Sequence, residues 1–386
     1  MHIINANILT MEGQDFPCGY IKTENGKIAK LGPMSDLNLS SADSVYDVAG
    51  AYVLPGFVEA HCHLGMWEDS LGFEGDDGNE ETDPITPQLL ALDGINPLDR
   101  GFREAAQGGV TTVVTGPGSA NVMGGQFLAM KTVGSRVDDM VIKNPVALKL
   151  ALGENPKTVY HQKNQSPSTR MATASLIRDY LNRAREYKDN LDAYNRDSEE
   201  NDKPEYDQKL EALLLLLEKK IPAKVHAHRS DDMFTAIRIA KEFDIDITLE
   251  HCTEGHLMAD ALAMEKIPVM VGPSLCDRSK PELKNLTFAT PGVLSKKGLS
   301  VAIITDHPVV PVQYINLCAA LAVREGMDET EALRAITINA AKNTGISDRV
   351  GSLSPGKDAD IVVFEKHPLD SMAKPKAVFV DGRQAL

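Results

Sequence analysis

Between Gly109 and Pro308 the chain repeats one pattern: a short, nearly continuous apolar run followed by a stretch with helical spacing. The runs are "GVTTVVTGPG", "PVALKLALGE", "AKVHAHRS", "DITLEHCTE", "KIPVMVGP" and "SVAIITDHP", and an earlier one, "AYVLPGFVEA", precedes them. Segments such as "PLDRGFREAAQGG" and "DDMFTAIRIAKEFD" carry the helical pattern between them. Strands without polar alternation are buried on both faces, and strands that alternate with amphipathic helices are the sequence form of βαβ units and a parallel sheet. This predicts an α/β fold closed as a (β/α)8, TIM-like barrel, with any active site at the C-terminal ends of the strands.

The strands end in an unusual way. "GFVEAHCHLG" closes on His61 and His63, which alternation places on one face of an extended segment while Cys62 takes the other. Neutral imidazoles that converge suit a divalent metal. Lys149 lies in "VALKLALGEN", His226 and His228 close "AKVHAHRS", His251 closes "DITLEHC" and Asp306 closes "SVAIITD". A capped histidine, an exposed lysine or an N-cap aspartate explains each one singly. Packing does not explain why one strand after another ends in His or Asp at the face where barrels keep their chemistry.

With 386 residues the chain has room for a barrel plus a smaller unit. The N-terminal runs "MHIINANILT", "GYIKTENGKIAKLG" and "SVYDVAGAYVLPG" and the C-terminal runs "DADIVVFE" and "AVFVDGRQAL" read as short strands, with "ENGK" as a hairpin turn. The two ends are expected to meet in one small β domain, residues 1–54 and 352–386, around a catalytic domain of residues 55–351. A helical insertion is expected over about 183–220, where the polar loop "RDSEENDKPE" separates two helical stretches and serves as a solvated face. A net charge of −15 disfavours nucleic acid and anionic membrane as partners. Cys18, Cys62, Cys252, Cys276 and Cys318 are widely spaced with no C-x-x-C pair, which reads as reduced, cytoplasmic usage. No signal peptide or membrane span is expected. A homo-oligomer acting on a small molecule is.

The pieces "VLPGFVEAHCHLG", "GGVTTVVTGPGS", "VHAH", "LEHC", "TDHP" and "AITINAAKNTGISDRVGSLSPGKDADIVVF" resemble the amidohydrolase superfamily, and most of all its imidazolonepropionase-related branch. They cover nearly the whole chain except the helical insertion. The resemblance implies a metal-bearing (β/α)8 barrel flanked by a small β-sandwich domain built from both termini. It assigns His61 and His63 to the first-strand metal pair, His226 to the fifth strand and His251 to the sixth. Asp306 becomes the aspartate that contacts metal and handles the proton of the attacking water. Lys149 matches the lysine that binuclear members carboxylate into a bridge; a carbamate has the ligand oxygens that an ammonium lacks. Glu154 is the rival bridge.

Deaminase and imidazolonepropionase members carry a glutamate three residues after the fifth-strand histidine, where this chain has Arg229. Acid-base work then falls on Asp306, with His228 as the next candidate. The expected function is metal-assisted hydrolysis of an amide, peptide-like or lactam C–N bond, with one or two divalent ions, Zn²⁺ first given the imidazole ligands. The alternatives are a deaminase or imidazolonepropionase-like cyclic amide hydrolase, and a catalytically silent barrel acting in assembly. Tyr160, Arg170, Arg229 and Arg278 are the candidate substrate contacts, and the loop "GPGSANVMGGQ" offers Ser119, Gly124 and Gln126. An arginine fork suits a substrate carboxylate.

Overall fold

The computed structural model describes residues 1–68 and 71–386. The N-terminal strands are β1 (His2–Ile8), β2 (Phe16–Glu24), β3 (Lys27–Pro33), β4 (Val45–Asp47) and β5 (Tyr52–Pro55). The barrel strands follow as β6 (Phe57–Cys62), β7 (Val110–Thr115), β8 (Met123–Lys131), β9 (Val141–Ala151), β10 (Ala223–Ala227), β11 (Ile247–His251), β12 (Val269–Val271) and β13 (Val301–Ile303). The C-terminal set is β14 (Ile361–Phe364), β15 (Pro375–Val380) and β16 (Arg383–Gln384).

The barrel strands pair in chain order from β6 to β13. All of these pairings are parallel except at β8, which runs antiparallel to both β7 and β9. The uniformly parallel barrel expected from the alternation is corrected here. A parallel crossover needs about a dozen residues or more, and only the short stretch 116–122 separates β7 from β8, so the chain makes a hairpin instead. Gly125 sits where a Cβ would come within 2.4 Å of the Leu89 carbonyl oxygen, so the strand lies hard against the first long loop.

The seam between β13 and β6 is bridged by a side chain. The Glu59 carboxylate accepts from the Thr305 backbone N at 2.8 Å and its hydroxyl at 2.6 Å, and its other oxygen accepts from His61 N at 2.9 Å. Burial pushes the Glu59 carboxyl up to about 8.

Strands from both ends of the chain share the second sheet, in the order β16-β15-β14-β5-β1-β2-β3 with β4 on β1. β14 pairs antiparallel with β5, Val362 opposite Leu54. Asn25 and Gly26, both at positive φ (50° and 77°), turn β2 into β3. β1 pairs with β2, β4 and β5, so the strands are joined in one continuous sheet. A bridge from Lys27 to Asp358 curls it over a core of Ile3, Ile21, Ile28, Val53, Ile361 and Phe379.

The inserted helices are Arg170–Arg196 and Gln208–Leu217. The first starts well before 183 because Thr169 caps it, its hydroxyl accepting from Ala172 N at 3.0 Å. Leu181 and Leu213 anchor the pair in the outer barrel core, and the Tyr187 hydroxyl donates to Glu211 at 2.6 Å. Among the described residues no helix is long and apolar enough to cross a membrane.

Candidate metal centre

Period-two geometry aims the strand-end side chains inward. On β6 the phase Glu59, His61, His63 faces the barrel axis, while Cys62 packs outside with Leu54, Phe57 and Leu128. On β10 the phase Lys224, His226 and, one step past the strand, His228 faces in; Ala223, Val225 and Ala227 join the outer core. β11 departs from the rule. His251 takes φ 74° and Cys252 φ 47°, so both Glu250 and His251 reach the interior. Asp306 also stands at positive φ, 53°. Such backbone costs about 1–3 kcal/mol per residue and gathers at functional sites.

These side chains meet. His63 Nε2 lies 3.1 Å and His61 Nε2 3.6 Å from Asp306 Oδ1, and Lys149 Nζ is 3.0 Å from His61 Nε2. The ring centres of His226 and His251 are 4.3 Å apart, those of His61 and His251 5.3 Å. Donor atoms of His61, His251 and Asp306 fall within 4.8 Å of one another, as do those of His226, His228 and His251.

The far ring nitrogen of several histidines is held from behind. His61 Nδ1 sits 2.7 Å from Glu250 Oε2, which in turn pairs with Lys224 at 3.0 Å. His63 Nδ1 donates to the Gly116 carbonyl at 2.6 Å and His251 Nδ1 to that of Gly272 at 2.8 Å. Each ring therefore turns its Nε2 inward, the arrangement that outer partners impose on metal-ligating histidines.

Burial holds His61, His226, His228 and His251 well below the usual imidazole value, with neighbouring ammonium and imidazole groups adding to the effect. They are neutral near pH 7, the form with a lone pair to give. His251 Nε2 and His226 Nδ1 are buried with no hydrogen-bond partner. Burial raises the Asp306 carboxyl, but His251, His63 and Lys149 outweigh it and leave the group below its ordinary value. Burial brings the Lys149 ammonium down to about 8. Neutral imidazoles with orphaned nitrogens around a carboxylate fit a divalent cation.

Above this floor opens a cleft of about 980 Å³ walled by Trp67, Ser119, Asn155, Val159, Lys280 and Leu283. The Trp67 ring meets the His63 ring edge-on at 4.7 Å. Ser119 accepts from Asn155 at 2.7 Å. Glu154 is half-buried on the wall, its Oε2 3.4 Å from the Glu282 backbone N, whereas Lys149 is fully buried beneath.

Of the candidate substrate contacts Ser119 lines this cleft, whereas Tyr160, Arg170, Arg229, Arg278, Gly124 and Gln126 do not. Arg170 bonds Asp232 at 3.0 and 3.1 Å, and Arg229 bonds Asp231 at 2.9 and 2.8 Å. Tyr160 is buried with an unpartnered hydroxyl. Gln126, with Gly124, stands in β8 and donates to the Pro87 carbonyl at 3.2 Å. Arg278 caps the Leu286 carbonyl at 2.7 Å beside a separate cavity of about 530 Å³.

Sequence reasoning missed Glu59, Lys224, Glu250 and Glu282. Glu59 and Lys224 stand two residues before His61 and His226, so the strand period could have found them. Glu250 is out of phase by that rule, and Glu282 lies on a loop with no pattern.

Residues 52–385 match the model of the amidohydrolase family. "Amidohydrolase tasK" of Hapsidospora irregularis is 29% identical across 94% of this chain and 39% of its own length. An adenine deaminase of Listeria monocytogenes serotype 4b is 24% identical across 98% of this chain and 57% of its own. The chain thus spans from about two-fifths to just over half of these relatives. A crystal structure of an amidohydrolase from Thermotoga maritima MSB8 superposes with a TM-score of 0.95 at 42% identity, covering 100% of this chain and 99% of that one. With a family match over most of its length, the chain belongs to the amidohydrolase family.

Proposed function

We propose that the protein is a metal-dependent hydrolase of a C–N bond in a small molecule, of the amide, peptide-like or lactam kind. The observation that carries the reading is the convergence of neutral, inward-facing imidazole nitrogens on Asp306. His61, His63, His226, His251 and Asp306 would hold the metal, with zinc suited to the imidazole donors. When bound, a divalent ion there would supply Lewis-acid chemistry to the scissile carbonyl and the attacking water.

Asp306, held by His63 and low enough to be ionised, accepts the proton of that water and returns it to the leaving nitrogen. Lys149, buried and lowered to about 8, is neutral often enough near pH 7 to add CO₂. Its nitrogen bonds the carbon, a proton leaves, and a carbamate with two ligand oxygens results. Amide cleavage is favoured over deamination because Arg229 stands where deaminases carry a glutamate, and its guanidinium is committed to Asp231.

The test is metal and carbamate content of purified protein, with a screen of N-acyl amino acids, dipeptides and lactams. Bound metal, a carboxyl group added to Lys149, and release of a new carboxylate with an amine are expected. Ammonia from an aminopurine would turn the reading to deamination; protein that neither binds metal nor turns over any substrate would end it.

A further inference from the structure

The pattern carried over from the family takes one histidine from β10 and one from β11. It makes no use of His228 or Glu282. We propose that these two join His226 and His251 as donors to a second cation position, beside the one formed by His61, His63 and Asp306. The inference rests on the metal-dependent reading above and concerns which of this chain's residues complete it.

The spacing supports it. Glu282 Oε1 lies 3.7 Å from His226 Nε2 and 3.6 Å from His228 Nε2. Neighbouring ligands around a tetrahedral zinc with bonds of about 2.0–2.1 Å are separated by roughly 3.3–3.4 Å, so Glu282 Oε1 stands within tenths of an ångström of ligand spacing from each of these two nitrogens, and the donor atoms of His226, His228 and His251 lie within 4.8 Å of one another. The ring centres of His226 and His228 are 4.7 Å apart, and those of His228 and His251 4.6 Å.

Orientation agrees. His228 Nδ1 is engaged by the Thr253 hydroxyl at 2.8 Å, as His251 Nδ1 is by the Gly272 carbonyl, and both rings are left with Nε2 facing in. The Glu282 side chain is fully buried, and its Oε2 is fixed by Glu154 N at 3.1 Å, which aims Oε1 at the histidines.

A simpler use for Glu282 exists: its Oε1 pairs with Lys280 Nζ at 2.7 Å. Lys280 is the part-exposed member, and its Nζ also donates to Asn155 Oδ1 at 2.9 Å, so it can turn into the cleft and keep a partner. The two roles predict opposite consequences. If Glu282 serves only Lys280, deleting the ammonium strands a buried carboxylate and gains nothing for a metal. If Glu282 is a ligand, Lys280 competes with the cation, and its removal tightens binding.

Zinc titration of the full chain against a chromophoric chelator, with the cobalt absorption spectrum as a second readout, separates them. Wild type is expected to bind two equivalents. Glu282→Gln and His228→Asn should keep one equivalent and weaken the other at least tenfold, with the cobalt bands altered; Lys280→Met should bind the second equivalent at least as tightly as wild type. Melting curves of the metal-free variants close to that of wild type show that the fold is kept, and the near-isosteric Glu282→Gln guards against collapse of the loop. Unchanged stoichiometry and affinity in both ligand variants overturns the inference and leaves the metal-dependent reading standing. So does a Lys280→Met variant weakened as much as Glu282→Gln. A wild type that binds no zinc overturns both.

Discussion

Two buried polar clusters lie at different places on the same barrel sheet, and they are built on opposite principles. At the end of β8, Lys131 is buried against Asp360 at 2.7 Å, Asp358 at 2.9 Å and Asp381 at 3.2 Å. Arg349 grips Asp358 with a guanidinium fork at 2.8 and 3.0 Å, and Lys27 pairs with the same carboxylate. Each charge there has its opposite within reach, and the cluster joins the barrel to the curled terminal sheet. At the strand ends near Asp306 the rings of His61, His63 and His251 are held from behind, and the inward His251 Nε2 is buried with no hydrogen-bond partner. Buried polar groups are normally satisfied. A cluster that satisfies itself holds the fold; one that withholds satisfaction in a single direction is arranged for something that arrives.

The comparison breaks most visibly at Asp306. Asp306→Asn removes the proposed proton acceptor but retains an oxygen and the side-chain shape. We expect turnover to fall about 10²–10⁴-fold, the usual contribution of general acid-base catalysis, with the melting temperature near that of wild type. Steady-state kinetics beside a melting curve check it. Retention of more than a tenth of the activity would move the proton to another group.

Lys131 should behave in the opposite way. Lys131→Met leaves three carboxylates without their shared ammonium, and breaking a buried pair by removing one partner costs about 3–5 kcal/mol. Denaturant unfolding should show that loss while metal content and turnover of the folded fraction stay unchanged. A fall in metal content at full folding would mean that the two clusters are coupled through β8 and β9.

How much of this was legible depended on whether a residue obeyed the strand period. His61, His63 and His226 could be placed from alternation, because extended backbone fixes which face a side chain takes. Glu250 could not, since the left-handed backbone at His251 breaks the alternation where the site is built. β8 was hidden by Gly124 and Gly125, which read as loop; Gly125 in fact admits the Leu89 backbone and Gly124 packs against the Lys149 side chain. Arg229 illustrates a local pairing that sequence could have shown: a carboxylate two residues on, Asp231, bonds its guanidinium, and the pair is visible in "RSD". Glu282 reaches the histidines from a loop after β12, where sequence carries no geometric rule.

The mildest expected effect tests the face assignment on which the whole contrast rests. Cys62 stands between His61 and His63, yet its Sγ points at the Val114 carbonyl, 3.8 Å away, within the outer cluster of Leu54, Phe57 and Leu128. Burial pushes its thiol well above the ordinary value, so it stays protonated and is a poor ligand. Cys62→Ala should therefore leave metal content and turnover within experimental error of wild type. It should cost about 1 kcal/mol of stability, the scale of one methylene-sized group lost from a packed core. Elemental analysis and denaturant unfolding of the one variant read both numbers. Loss of metal from Cys62→Ala would mean that β6 presents its other face to the barrel axis, and then His61 and His63 could not both be ligands, because a one-residue slip in an extended strand turns every side chain over at once.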